Sequence, residues 1–315
     1  MKVYPLIFSR TKFVDYNPDF MVRPEDMKKE DCKKAVSYVN TAIERVKYTG
    51  CIRYAVFPAG NYTVCGIACC TPRLIEKLKD SLDNTEYQEY QTDEYGRPLT
   101  FFIGFAVKEV GTNAPEINLL EMYRIYLDYL REQFYKRSNT ETKPAKETEI
   151  AEISDTDEFF PEFESGDSIK IKILTNYNEE IRPSVINYFF KRIQDGEDIS
   201  FVSDMIPTDI DDSVPYKYIS LSEGSAKECI KQLKRKQEIK KSKQFNEVKR
   251  PQEKTVSIAK NVDNVNQKNE STNASNQDEF WDRIRIENQK KTNRSLIAIA
   301  IAIATIVLLV KCGNK

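Results

Sequence analysis

Residues 52–70 have the sequence IRYAVFPAGNYTVCGIACC, in which two β-rich runs flank a short turn. The turn residues Pro58-Ala-Gly-Asn61 are typical of a β-hairpin, because Gly and Asn tolerate the positive φ angles of tight turns. Residues 52–57 and 62–70 are therefore predicted to pair as antiparallel strands.

Further elements flank this hairpin. Residues 3–9 are predicted as a strand, and residues 87–91 and 99–108 as a second hairpin. Apolar side chains at helical spacing predict helices over residues 24–48, 72–82 and 115–137. The order predicts that residues 1–137 form a cytosolic α+β domain with a mostly antiparallel sheet.

A second, smaller α+β unit is predicted over residues 168–237, with a βαββα order. Its predicted strands are residues 169–174, 199–204 and 216–221, and its predicted helices are residues 182–195 and 226–236. A unit of about 70 residues buries an apolar core of only marginal stability, so we expect this unit to pack against the first domain.

Polar segments separate these units from the end of the chain. Residues 138–167 carry 2 basic and 10 acidic side chains and are predicted to be an acidic linker. Residues 238–277 are rich in Asn, Lys and Gln and are predicted to be a disordered linker. Residues 278–294 are predicted as a juxtamembrane helix with Trp281 on its apolar side.

The apolar run LIAIAIAIATIVLLV spans residues 296–310 and predicts a transmembrane helix over residues 295–310, followed by a short tail, 311–315. Fifteen helical residues span about 22 Å of a hydrocarbon core about 30 Å thick, and flanking cations can extend outward to cover the difference. The alternative is a buried core helix. The residues assigned to the anchor are Leu296, Ile299, Ile303, Ile306 and Leu309.

Flanking charge predicts the orientation of this span. Cations are more numerous before it than after it, which places the N-terminal domains in the cytoplasm. The flanking charges are Lys290, Lys291, Arg294 and Lys311. Ala300 and Ala304 form a small-x3-small pair, which permits homo-oligomers through the helix.

The chain contains no histidine, which excludes Ser-His-Asp and Cys-His catalysis and histidine metal sites. Seven cysteines form no disulfide framework. Cys51, Cys65, Cys69 and Cys70 lack the paired knuckles of structural zinc and are interpreted as core residues. The aspartates of PTDIDDSVP, Asp209, Asp211 and Asp212, are interpreted as a solvated turn rather than a cation site. No catalytic residue, cofactor or metal is therefore assigned.

Three phenylalanines, Phe159, Phe160 and Phe163, lie among carboxylates in the acidic linker. They are assigned as candidate docking residues for a cytosolic protein partner, and the alternative is that they pack on a flanking domain. The basic run at residues 231–243 is interpreted as a solvated helix face or a contact with acidic lipid, in preference to a contact with nucleic acid.

Two functions from different classes fit these features. The first is a tail-anchored, single-pass membrane protein whose cytosolic domains act as a binding, sensing or adaptor module. The second is an effector whose domains sense a signal and whose tail helices cluster to disrupt the membrane. A histidine-free enzyme ranks third.

Overall fold

The computed structural model describes residues 1–16, 19–82, 89–138, 141–154, 159–164, 170–210 and 213–221, together with Lys231 and Arg235. In this part of the chain the strands are β1 (Lys2–Ser9), β2 (Val22–Arg23), β3 (Arg53–Ala59), β4 (Tyr62–Cys70), β5 (Thr100–Val107), β6 (Lys143–Pro144), β7 (Thr148–Glu149), β8 (Phe163–Glu164), β9 (Lys172–Leu174), β10 (Phe201–Met205) and β11 (Tyr218–Leu221). The helices are α1 (Lys29–Ile43), α2 (Val46–Thr49), α3 (Thr71–Leu78), α4 (Leu119–Gln133) and α5 (Arg182–Gln194).

All of these strands belong to one mixed sheet, so the described part of the chain is a mixed α/β fold. The order of the strands is β6-β2-β1-β5-β4-β3-β10-β11-β9-β8, and β7 pairs with the N-terminal end of β1. From β1 to β10 the neighbours are antiparallel, whereas β10, β11 and β9 are parallel to one another. The sheet therefore has an antiparallel half and a parallel half.

The hairpin predicted at residues 52–70 is confirmed. β3 and β4 pair from Ala59↔Tyr62 to Arg53↔Ala68, and Gly60 holds a φ of 65° in the two-residue turn. β4 also pairs along its length with β5, which places it at the centre of the antiparallel half. Every residue of β4 is buried, as is every residue of β3 except Pro58, so both faces of this hairpin are covered.

Each face of the sheet carries its own apolar core. α1 covers one face, where Cys32, Val39 and Ile43 pack with Phe57 and Val64. Helices α3, α4 and α5 cover the other face. Successive strand residues point to opposite faces, so the sheet is sandwiched between helix layers.

The strands of both predicted domains belong to this single sheet. Val56 of β3 pairs with Phe201 of β10, and Ala55 pairs with Val202. The apolar core beneath α3 and α4 also contains Val185 and Phe189 of α5. The described residues within 1–137 and 168–237 therefore share strand pairing and core packing.

Described residues of the segment predicted as an acidic linker form short strands at the sheet edges. β6 pairs with β2, β7 pairs with β1, and β8 pairs with β9. Backbone groups of edge strands need hydrogen-bond partners whatever the side chains are, and charged side chains are common there. Polar composition therefore indicated exposure, not the absence of strands.

Some predicted element boundaries also change. The helix predicted over residues 24–48 begins at Lys29 and is interrupted at Arg45, whose φ is 57°. The second hairpin retains β5, but on its other side the described residues show only an isolated bridge between Thr92 and Pro98. Both differences from the predicted boundaries fall at turns, where the spacing of apolar residues does not indicate secondary structure.

Within the described ranges, no helix is long and apolar enough to cross a membrane. The disordered linker at 238–277, the juxtamembrane helix at 278–294, the span at 295–310 and the tail at 311–315 all lie outside those ranges. The same holds for Asp211, Asp212 and most of the basic run at 231–243.

Candidate functional site

A cleft lies at the edge of the sheet where the parallel strands end. Because β9, β10 and β11 are parallel, their carboxyl ends meet at this edge. β3 is antiparallel to β10 and so begins here, and β4 ends here before α3. The carboxyl edge of parallel strands is where open α/β sheets bind ligands.

The cleft encloses about 430 Å³, which suits a small molecule. A neighbouring cavity of about 400 Å³ shares Tyr54, Glu179 and Arg182 with it. The side chains that give the cleft its chemistry are Cys51, Tyr54, Arg73, Lys77, Tyr177, Asn178, Glu179, Arg182 and Asp204. They come from four separate segments of the chain.

The loop after β9 is fixed by Asn178. Its Oδ1 accepts hydrogen bonds from the backbone N–H groups of Glu180 and Ile181, at 2.9 and 3.0 Å. This Asx turn leads directly into α5, which carries a proline in its first turn. The loop thereby places Glu179 and Arg182 beside the cleft.

Arg182 joins three parts of the cleft through its guanidinium group. Nε donates to the Tyr177 hydroxyl at 3.2 Å, Nη1 donates to the Tyr54 hydroxyl at 3.1 Å, and Nη2 lies 3.0 Å from Glu179 Oε1. The hydrogen bond from Arg182 is the main cause that lowers the pKa of Glu179. The contacts hold α5, β3 and the loop after β9 in one arrangement.

Asp204 occupies a strained position at the end of β10. Its φ is 53°, which non-glycine residues rarely adopt, and the β10–β11 register shifts between Val202 and Met205. Its N–H donates to Ser220 Oγ at 3.0 Å, and its Oδ2 accepts from Ser203 Oγ at 2.5 Å. Strained residues of this kind cluster at functional sites.

Burial raises the pKa of Asp204, although the Ser203 hydrogen bond and the charges of Arg182 and Arg53 act in the opposite direction. Ser203 Oγ also accepts a hydrogen bond from the backbone N–H of Tyr54 at 2.9 Å. The bulge therefore holds a carboxyl group in the cleft under conditions that disfavour its charged form.

Arg53 supports this bulge from inside the fold. It is fully buried and donates to the carbonyl oxygens of Ala42, Glu44 and Asp204, at 3.3, 2.7 and 3.3 Å. A cation is favourable at the carboxyl end of a helix such as α1, where carbonyls are unpaired. Arg53 is therefore a positioning residue for Asp204.

The part of the cleft lined by α3 is basic. Arg73 and Lys77 of α3 pair with Glu76 at 2.5 Å and with Glu179 at 3.6 Å. Both carboxylates are largely exposed, at 63% and 78%, so these pairs are weak. Arg73 Nε is shielded from solvent and has no hydrogen-bond partner among the described residues. Each cation can therefore be approached by a ligand.

The candidate cysteines are distributed between core and cleft. Cys65 and Cys69 are fully buried, and burial raises the pKa of both thiols. Cys70 is also buried, whereas Cys51 is partly exposed and lines the cleft. Among the described residues, no group of three or more Cys, Asp or Glu side chains is placed to hold a metal ion.

The three phenylalanines assigned to docking have different environments. Phe163 packs against Tyr218 and Phe189, with ring centroids 4.9 and 6.4 Å away. Phe159 contacts Tyr188 edge to face at 5.7 Å. Phe160 is 73% exposed. Docking through this segment therefore depends on Phe160, because its two neighbours pack on the core.

The sequence interpretation did not single out Tyr54, Tyr177, Arg182 or Asp204. One signal was available: NYNEEIRP, at residues 176–183, combines an Asn turn with a helix-initiating proline directly after a strand. A strand-to-helix loop of this kind lies at a ligand-binding edge only when the neighbouring strands are parallel. That condition is decided by the order of strands in the sheet, which the local sequence does not reveal.

Comparison with family models, curated proteins and solved structures gives no match to this chain. The proposed function therefore rests on the geometry of the site.

Proposed function

We propose that the protein is a tail-anchored, single-pass membrane protein whose cytosolic fold is a sensing module that binds a small polar ligand in the sheet-edge cleft. The observation that carries the binding role is the convergence of four segments on the cleft that Arg182 lines. Its three contacts join α5, β3 and the loop after β9. The membrane role is supported by the apolar run at residues 296–310 and by the cations before it.

The cleft favours binding because its side chains are held in place before a ligand arrives. Tyr54 and Tyr177 are fixed by Arg182, and Asp204 is fixed by Ser203 and Ser220. A ligand that contacts both α3 and β10 would link these two segments, which gives ligand binding a route to the rest of the fold.

A carboxylate-based enzyme is the second candidate, and Asp204 is the observation that favours it. A buried carboxyl group with a raised pKa is suited to general acid–base work. The chain has no histidine to complete a nucleophile–base pair. Turnover of a bound compound, followed by product analysis, separates this candidate from a sensing module.

The partners proposed for this module follow from the same features. Membrane lipid contacts residues 295–310, the tail helix provides for homo-oligomers, and a cytosolic protein contacts the exposed Phe160. Clustering of tail helices to disrupt the bilayer is the competing proposal. The mass of the detergent-solubilised protein separates them, because a large ring supports disruption and a small assembly supports sensing.

The binding role is tested with the full-length protein in detergent and a defined panel of neutral, cationic and anionic metabolites. We expect at least one chemical class to raise the melting temperature by several degrees. Cys51→Trp fills the cleft and should abolish that rise. Val110→Trp places the same side chain at a position that is 74% exposed and serves as the matched control. A panel in which no compound stabilises the protein, or in which Cys51→Trp responds like the control, contradicts the proposal.

A further inference from the structure

The two walls of the cleft have different chemistry. The α3 wall presents Arg73 and Lys77, whereas the β10 wall presents the carboxyl group of Asp204. A ligand that fills the cleft therefore meets both cations and a hydrogen-bond acceptor.

The α3 wall suits a phosphate group. The ion pairs of Arg73 and Lys77 involve exposed carboxylates, so a ligand can replace them at little cost. The side chains of Arg73 and Lys77 are 39% and 41% exposed, so both are accessible to a phosphate group. An arginine fork binds phosphate with two parallel hydrogen bonds, and a nearby lysine adds a point charge.

The β10 wall suits hydroxyl groups. Asp204 Oδ2 accepts from Ser203, and no further hydrogen bond to this carboxylate is formed within the described ranges. A carboxylate accepts hydrogen bonds, so the ligand must supply donors. Acidic side chains at the ends of parallel strands bind ribose hydroxyls in this way.

We propose that the cleft binds a phosphorylated polyhydroxy compound, with its phosphate at Arg73 and Lys77 and its hydroxyls at Asp204. The proposal rests on the cleft being the ligand site of the sensing module. The cavity volume of about 430 Å³ accommodates a sugar phosphate or a nucleoside monophosphate, which share this chemistry.

Binding is measured by calorimetry on full-length protein in detergent, with ribose 5-phosphate, AMP, ribose and inorganic phosphate as probes. Ribose 5-phosphate or AMP should bind at least 10-fold more tightly than ribose and than inorganic phosphate. Tighter binding of AMP identifies a nucleotide site, and tighter binding of ribose 5-phosphate identifies a sugar phosphate site.

Two sets of variants assign the two walls. Arg73→Gln with Lys77→Gln should weaken every phosphate-bearing probe by 10-fold or more, whereas Lys79→Gln, just beyond the same helix, should not. Asp204→Gly suits the positive φ and removes the carboxylate, so it should weaken ribose 5-phosphate and AMP but leave inorganic phosphate unchanged.

Equal affinity for inorganic phosphate and ribose 5-phosphate overturns the proposal, as does equal affinity for ribose. A metabolite panel that stabilises the protein only through compounds without phosphate also overturns it, while leaving the binding role intact. A panel in which nothing binds contradicts the binding role itself, so the two failures are distinguishable.

Discussion

Arg182 Nη1 donates a hydrogen bond to the Tyr54 hydroxyl at 3.1 Å, and the same guanidinium lies 4.3 Å from the centre of the Tyr54 ring. Tyr54 belongs to the central hairpin, and Arg182 begins the helix of the parallel half. Hydrogen bonding and cation–π attraction thus join the two halves of the sheet at the cleft. Loss of this contact should alter stability and binding together.

Arg182→Lys should lower the free energy of unfolding by about 2–3 kcal/mol, because lysine cannot reach Tyr54, Tyr177 and Glu179 at once. For a folded part of this size the melting temperature should fall by about 4–12 °C.

Arg192→Lys is the matched control for this change. Arg192 lies on the same helix and also contacts a tyrosine and a glutamate, Tyr188 and Glu197, but away from the cleft. Its effect should stay within about 1 kcal/mol, since both partners reach solvent, at 34% and 40% exposure. Equal destabilisation by the two variants would remove the special role assigned to Arg182.

Asp204→Asn should raise the melting temperature at pH 7, because asparagine tolerates the positive φ and carries no buried charge. Burial raises the pKa of Asp204 above its ordinary value of 3.8. The neutral carboxyl group therefore makes its full contribution to stability when the pH is below that ordinary pKa. This contribution is lost as the pH rises through the pKa of Asp204 in the folded state. The advantage of the variant should shrink as the pH is lowered towards 4, measured by thermal melts from pH 4 to 8. A constant difference across this range would show that Asp204 does not titrate as described.

Phe160→Ser should change the free energy of unfolding by less than about 0.5 kcal/mol, because Phe160 is exposed. Phe163→Ser should lower the free energy of unfolding by about 2 kcal/mol. Loss of a fully buried aromatic side chain lowers it by about 3–5 kcal/mol, but Phe163 is only half-buried against Tyr218. If the segment docks a cytosolic protein, Phe160→Ser should abolish partner pull-down without altering the melt. Retained pull-down with this variant would end the docking proposal.

Deletion of residues 295–315 should move the protein from a carbonate-resistant membrane pellet to the soluble fraction, because the apolar run would be lost. Deletion of residues 311–315 alone leaves the run intact and should keep the protein in the pellet. Fractionation and immunoblotting measure both. A full-length chain that fractionates like the longer deletion would contradict the tail anchor.

Local sequence signals predicted the elements better than their arrangement. The β3–β4 hairpin, β1, β5 and α5 follow from β-rich runs, turn residues and helical spacing over short windows. The β3–β10 pairing does not, because it joins residues 145 positions apart through backbone groups that every sequence shares. The cleft depends on that pairing, so Asp204 and Arg182 gave no signal by themselves. Edge strands β6 and β7 were hidden by polar composition.

The late arrival of β10 has a consequence during synthesis. At about 5–20 residues per second, roughly 7–30 s separate the emergence of Val56 from that of Phe201, its partner. During that interval the outer edge of β3 carries unpaired backbone groups beside the apolar Val56 and Phe57, and such an edge invites pairing with other chains. The nascent protein should therefore depend on chaperone shielding until the parallel half of the sheet has left the ribosome.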